Sequence, residues 1–186
     1  YKSRPIIHLD IGSRIDGFIS HLLSFEQNIV MGDIRENDLN NKFIKTLRVD
    51  LVDNKIINKI NSFESVSCLH AIEHIGLGRY GDKINSIAHY IALENLIKLT
   101  SNNGLLYLSH PTSYFGRIEY NAHRVIPLED IYSFMIDNGM CVEKFSYIND
   151  NGDFKEVIDL STLDFKFNYN LEYGCAVWAF RKLANI

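Results

Sequence analysis

The stretch that most constrains this chain runs from Pro5 to Gly17 and reads PIIHLDIGSRIDG. A short apolar run from Ile6 to Leu9 reaches Asp10, and a turn containing Gly12 and Gly17 follows. An amphipathic segment from Ile15 to Phe25 comes next. Apolar strand, glycine turn and helix is how α/β folds build a nucleotide site. Glycine lets the backbone approach a ligand, and the helix N-terminus offers free N–H groups. The turn departs from a G-x-G-x-G loop, because Arg14 and Asp16 stand where the second and third glycines would be.

The same alternation continues along the chain. Asn28 to Gly32 (NIVMG) reads as a second strand ending at Asp33, and Leu47 to Leu51 as a short third. A weak helix, Lys55 to Ile60, precedes a fourth strand, Ser65 to Leu69 (SVSCL). The clearest helix is Ile84 to Leu99, whose apolar residues keep close to helical spacing. Asn102-Asn103-Gly104 ends it, and Leu105 to Leu108 (LLYL) is a buried strand stopped by Pro111. Leu128 to Asn138 makes another helix, with Pro127 at its start and Gly139 past its end. Cys141 to Ile148 and Gly174 to Phe180 (GCAVWAF) form a hairpin-like pair that places one antiparallel strand at the edge. Strands alternating with helices predict an α/β fold with a mostly parallel sheet covered on both faces. The polar and aromatic stretch Asn149 to Glu172 has no clear period and is expected to be an insertion between the last two strands.

With 186 residues, 46% of them hydrophobic, the chain is expected to form one domain spanning 1–186. It starts at Tyr1 without a methionine, which leaves room for a preceding segment. A net charge of -4 argues against a nucleic-acid partner, which needs a basic face. No apolar run reaches the ~20 residues of a membrane span and no signal peptide is visible, so a cytoplasmic protein is expected. Cys68, Cys141 and Cys175 are far apart and sit in apolar settings with no base beside them in sequence. They read as three reduced, buried thiols. Oligomeric state is left open.

Four constellations are candidates for chemistry. The first joins Asp10, Gly12, Ser13 and Arg14 to Asp33, which lies 21 positions after Gly12. A carboxylate at the second strand's end accepts both ribose hydroxyls of an adenosine ligand, and Asp50 at the third strand's end would face its adenine. The second is His70-Ala71-Ile72-Glu73-His74, an H-x-x-E-H run. On a continuous helix His70 and His74 would bind zinc with Glu73 as general base, making a hydrolase. Its position directly after a strand and before Gly76 and Gly78 instead puts His70 at the strand end, facing the ligand, with Glu73 and His74 in the loop beyond. The third, Gly76-Leu77-Gly78-Arg79-Tyr80-Gly81, matches G-x-G-x-x-G but follows no first strand. It reads as a flexible loop over the site, with Arg79 and Tyr80 touching substrate or cofactor. The fourth begins at His110 after the fifth strand and gathers Tyr114, Asn121, His123 and Arg124. Such a concentration of polar groups suits a substrate pocket, with His110 or His123 as general base. The plain alternative for His123 and Arg124 is a structural role, tying the loop to the sheet.

HLDIGSRIDGF, CLHAIEHIGLGRYGD, GLLYLSHP and FGRIEYNAHRVIP together resemble successive signatures of a domain-of-unknown-function family known from bacteria and nematodes. That family in turn resembles the class I S-adenosylmethionine-dependent methyltransferases. The resemblance implies a Rossmann-like seven-strand sheet of order 3-2-1-4-5-7-6 with strand seven antiparallel. It also implies S-adenosylmethionine as cofactor. Asp10 to Arg14 would hold its amino-acid end, Asp33 its ribose and Asp50 its adenine, while AIEH resembles the VLEH segment after strand four. Arg14 replaces a glycine of the pattern and would pair with the cofactor carboxylate. A sugar or surface-glycan precursor is the implied acceptor, methylated on a hydroxyl. Two other functions stay open: a ligand-binding module that has lost transfer activity, and the zinc hydrolase.

Overall fold

A computed structural model describes residues 5–184 apart from 14–16, 26, 37–38 and 40–41. Arg14 and Asp16, the two departures from the glycine loop, lie outside the described residues. The chain forms β1 (His8–Ile11), α1 (Gly17–Leu23), β2 (Ile29–Asp33), β3 (Ile44–Arg48), α2 (Asn54–Ile57) and β4 (Phe63–Leu69). There follow α3 (Ala88–Leu99), β5 (Thr100–Thr112), β6 (Arg117–Glu119), β7 (His123–Val125) and α4 (Leu128–Asp137). The last strands are β8 (Met140–Ile148), β9 (Phe154–Val157) and β10 (Gly174–Lys182).

One sheet of eight strands has the order β3-β2-β1-β4-β5-β10-β8-β9. β1 pairs in parallel with both β2 and β4, and β10 runs antiparallel to both β5 and β8. This is the predicted order 3-2-1-4-5-7-6 with one addition. The eighth strand, β9, comes from the insertion and pairs antiparallel with β8 at the sheet's edge. β1 is buried along its whole length, as a central parallel strand must be when both faces are covered.

Several boundaries differ from expectation for physical reasons. β3 ends at Arg48, so Asp50 sits in the turn beyond it rather than in the strand. α3 starts at Ala88, not Ile84. Ile84 is 84% exposed, and Asn85 N–H donates to the Gly76 carbonyl instead of entering a helix. Pro111 lies inside β5 instead of stopping it. Pairing with β4 ends at Ser109, and the Pro111 carbonyl accepts from Ile126 N–H. A residue's N–H and C=O share one side of a strand, so the missing Pro111 donor falls where no ladder needs it.

The core is continuous from Leu9 and Val66 through Leu93, Leu96 and Leu108 to Phe145, Trp178 and Phe180. Helix α3 contributes Ala92, Leu93, Leu96 and Leu99, and α4 contributes Leu128, Ile131 and Met135 at i, i+3 and i+7. The insertion is sewn to this core. Phe165 and Leu171 are buried, and the buried Asn168 accepts from Leu128 N–H at 2.8 Å while donating to Thr112 Oγ1 at 3.2 Å.

Candidate functional site

The carboxyl ends of the parallel strands β1, β2 and β4 lie at one edge of the sheet. A cavity of about 460 Å³ lies there. Its wall includes Gly12, Ser13, Asp33, Asp50, His70 and Tyr80, together with His74 and Asp82. Topology thus brings six of the sequence-derived candidates to one place. Gly12 makes the approach possible. Its φ is +81°, and a Cβ there would stand 2.6 Å from Ala71 Cβ in the turn after β4.

Asp33 is the last residue of β2, and its carboxylate is taken by Arg35. Nε donates to Oδ1 at 2.8 Å, Nη2 to Oδ2 at 2.6 Å, and the Arg35 backbone N–H also donates to Oδ1. Burial pushes this carboxyl up, and the Arg35 bonds and charge outweigh it, so the net displacement is below the usual carboxylate range. The same guanidinium lies 5.2 Å from the centre of the Tyr80 ring. Asp50 accepts from Val52 N–H at 3.0 Å, which shapes the turn after β3.

Asp10 is placed differently from expectation. It stands within β1 opposite Ser67 of β4, is fully buried, and accepts from Ser67 Oγ at 2.5 Å. His8 reaches Ser65 Oγ and Ser67 Oγ at 2.8 Å each on the same face. Asp10 therefore belongs to a polar chain inside the sheet and not to the cavity wall.

β4 ends at Leu69, and His70 takes a left-handed φ of 50° while its N–H donates to Ser109. Ile72–His74 is a single 3-10 turn, not a continuous helix, so His70 and His74 share no helical face. Among the described residues no group of three or more His, Cys, Asp or Glu is arranged to hold a metal ion. The H-x-x-E-H run instead divides two cavities. Beside the first lies a second of about 350 Å³, walled by Glu73, His123, Tyr173 and Cys175, and His70 and His74 line both.

Within this cluster Glu73 is only 2% exposed. Its Oε1 lies 3.2 Å from His70 Nδ1 and 4.0 Å from His74 Nε2, and its Oε2 has no hydrogen-bond partner among the described residues. His74 Nδ1 donates to the Ala122 carbonyl at 2.9 Å, which leaves Nε2 as the basic nitrogen of the neutral ring. His123 Nε2 is 2.8 Å from the Tyr173 hydroxyl, and burial is the main influence lowering its pKa.

The remaining candidates fall outside the cavities. His110 has no exposed surface, so it cannot reach a substrate as a base. Trp178 Nε1 donates to its Nε2 at 3.1 Å, its Nδ1 meets the Pro111 carbonyl, and burial pushes its pKa down to about 4. Arg124 is 5% exposed and donates to the carbonyls of Ile75 and Asn85, a structural role. Arg79 donates to the Ala122 carbonyl and lies over the Tyr80 ring, so only Tyr80 of that pair walls a cavity. Tyr114 lines a separate groove with Phe115 and Phe167. Asn121 is exposed in the turn between β6 and β7 at a left-handed φ of 54°. The glycine-rich loop is organised by a single carboxylate: Asp82 accepts from the N–H groups of Gly76, Gly78 and Tyr80. Sequence reasoning missed Asp82, Arg35, Tyr173 and Cys175. Only Asp82 carried a signal, as the acid that closes GLGRYGD.

No curated protein matches the chain by sequence. Solved structures with the same fold are numerous. One is a Burkholderia thailandensis 1,6-didemethyltoxoflavin-N1-methyltransferase with bound S-adenosylhomocysteine. It is 13% identical, with a TM-score of 0.64 over 97% of this chain and 72% of that one. The N-methyltransferase NodS from Bradyrhizobium japonicum WM9, also holding S-adenosylhomocysteine, is 10% identical with a TM-score of 0.62 over 97% and 80%. The [4+2]-cyclase SpnF matches at 11% identity and a TM-score of 0.63 over 97% and 75%. The fold is thus that of the Rossmann-like methyltransferases, and one fold-mate with a different reaction shows that fold alone does not name the chemistry. The family model described as "Caenorhabditis protein of unknown function, DUF268" matches residues 10–175. The chain belongs to that family.

Proposed function

We propose that this chain is an S-adenosylmethionine-dependent methyltransferase acting on a small molecule. The observation that carries this reading is the pair of cavities meeting at His70 and His74, the larger lying at the carboxyl ends of β1, β2 and β4. The donor set of the larger cavity fits an adenosine ligand. Asp33, once released by Arg35, and Asp50 would accept from the ribose hydroxyls and the adenine amine, and Gly12 and Ser13 would let the backbone approach the ligand's other end. When bound, the cofactor supplies an electrophilic methyl group on sulfonium sulfur. The chain's residues supply position and a proton acceptor. In the smaller cavity the acceptor's hydroxyl meets His74 Nε2, oriented by the Ala122 carbonyl, with Glu73 beside it and His123 opposite. Glu73, His74, His123 and Tyr173 give this cavity a polar wall suited to a hydroxyl-rich, sugar-type acceptor.

Titration calorimetry with S-adenosylhomocysteine tests the cofactor. Binding is expected, and Asp33→Ala is expected to weaken it at least about tenfold by removing the ribose acceptor. Arg35→Ala should leave affinity unchanged or improve it, since the guanidinium must leave Asp33 for a ribose to enter. No heat from folded wild-type protein would sink the proposal. The Arg35 clamp on Asp33 is also the one observation favouring a module that binds a ligand without transferring methyl. That reading wins if the cofactor binds while hydroxylated acceptors are never methylated.

A further inference from the structure

The smaller cavity also holds a thiol that methyl transfer does not use. Cys175 Sγ lies 3.3 Å from His70 Nε2, and His70 Nδ1 lies 3.2 Å from Glu73 Oε1. Thiol, imidazole and carboxyl thus stand in series, each on a different element. Cys175 is on β10 and held in register by Pro111 and Ile148. His70 is anchored by two bonds from its N–H to Ser109, and Glu73 is buried in the 3-10 turn that follows. Cys175 is partly exposed and the His70 side chain is 52% exposed, so the sulfur is open to the cavity.

We propose that Cys175, His70 and Glu73 form a nucleophilic thiol site whose substrates are small activated acyl compounds, thioesters or activated esters. The order of the groups carries the chemistry. Glu73 holds one nitrogen of the imidazole and the other faces the sulfur, so the thiol proton passes to His70 Nε2 as the sulfur attacks. The Cys175 hydrogen bond, then that of Glu73, raises the His70 imidazole to about 10 against the opposing effect of burial. A ring this basic takes the thiol's proton readily and, once it has passed that proton to a leaving group, is again a base toward water. Acyl transfer uses both properties. The sulfur forms a bond to the carbonyl carbon, the bond from that carbon to the leaving sulfur or oxygen breaks, and the His70 Nε2 proton passes to the departing group. Neutral His70 then takes a proton from water as it attacks the thioester, releasing the carboxylic acid and returning that proton to the sulfur.

The other two thiols define the contrast. Cys68 is fully buried, and burial pushes its thiol up, away from reactivity. Cys141 is partly exposed on β8 opposite Arg181, and no histidine bond to it is found among the described residues. It serves as an internal control in the same molecule.

The test is acylation of the full chain by p-nitrophenyl acetate, followed by peptide mass spectrometry. The expected result is a burst of nitrophenolate near one equivalent. Acetyl should appear on Cys175 at least about tenfold faster than on Cys141. His70→Gln and Glu73→Gln should remove most of that advantage. Equal labelling of the two cysteines in wild-type protein overturns the proposal. So does fast Cys175 labelling that survives His70→Gln. The wild-type comparison decides the matter even if the variants fail to fold. S-Adenosylhomocysteine calorimetry on the same sample is a separate readout, so failure of the cofactor reading and failure of this one are distinguishable.

Discussion

Two buried histidines, His8 and His110, set a pH limit on the fold. His8 bridges Ser65 and Ser67, and His110 lies between Trp178 and the Pro111 carbonyl. Burial lowers each from 6.5 to about 4. Above pH 6.5 neither form of the chain protonates them. Between 6.5 and 4 the unfolded chain takes up protons that the folded chain refuses, so stability is lost as pH falls through that window. Each histidine contributes at most about 1.4 kcal/mol per pH unit there. Urea midpoints measured from pH 7 down to 4.5 should fall steadily, and His8→Asn should flatten the slope by about one histidine's share. A midpoint independent of pH would contradict the burial. At this same scale Asp33 was legible as a cavity acid, because the end of a predicted strand fixes where its last side chains go, and Asp50 reaches the same cavity from the turn after β3. Asp10 was not legible in that way. Whether an acid inside a strand faces a ligand or a neighbouring strand depends on the partner opposite, and Ser67 is that partner.

Elements meet at the Gly12 turn, where the first loop touches the turn after β4. Gly12→Ala would place a methyl 2.6 Å from Ala71 Cβ at a φ of +81°. Together the clash and the left-handed backbone should cost about 2–4 kcal/mol, read as a lower thermal midpoint. Adding Ala71→Gly should recover the steric part and leave the conformational part. Full recovery, or no loss at all, would mean the two loops are not in contact. The element boundaries that sequence patterning misjudged share a cause. Ile84 and Ile87 extend the helical spacing of α3, yet both are exposed, because the chain there is turning off the Gly76 loop. Pro111 looked like a strand terminator because the local pattern does not record that β4 has already ended on its donor side.

In the molecule as a whole, β10 is the strand that closes the architecture. It lies between β5 and β8, and Trp178 at its centre is 1% exposed, packed 4.1 Å from the Phe145 ring centre and bonded to His110. Trp178→Ala should cost about 3–5 kcal/mol, measured by denaturant unfolding, and a loss under 1 kcal/mol would mean that the strand packs elsewhere. The insertion from 149 to 172, unreadable by period, resolves into an edge strand and two short turns held through Phe165, Asn168 and Leu171. Its few buried residues are spaced by tertiary contact, so no helical or strand period marks them. The strand order was implied by the family resemblance; the sequence by itself determined the α/β class, the mostly parallel sheet and the carboxyl-end location of Asp33 and Asp50. Those follow from local apolar runs and from the turns that end them, which a linear pattern records. Only the tertiary structure decided that Arg35 occupies Asp33, that His110 is sealed in the core, and that Cys175 lies beside His70. His70 and Cys175 are 105 residues apart and meet only because β10 inserts antiparallel beside β5, at the end where β4 stops.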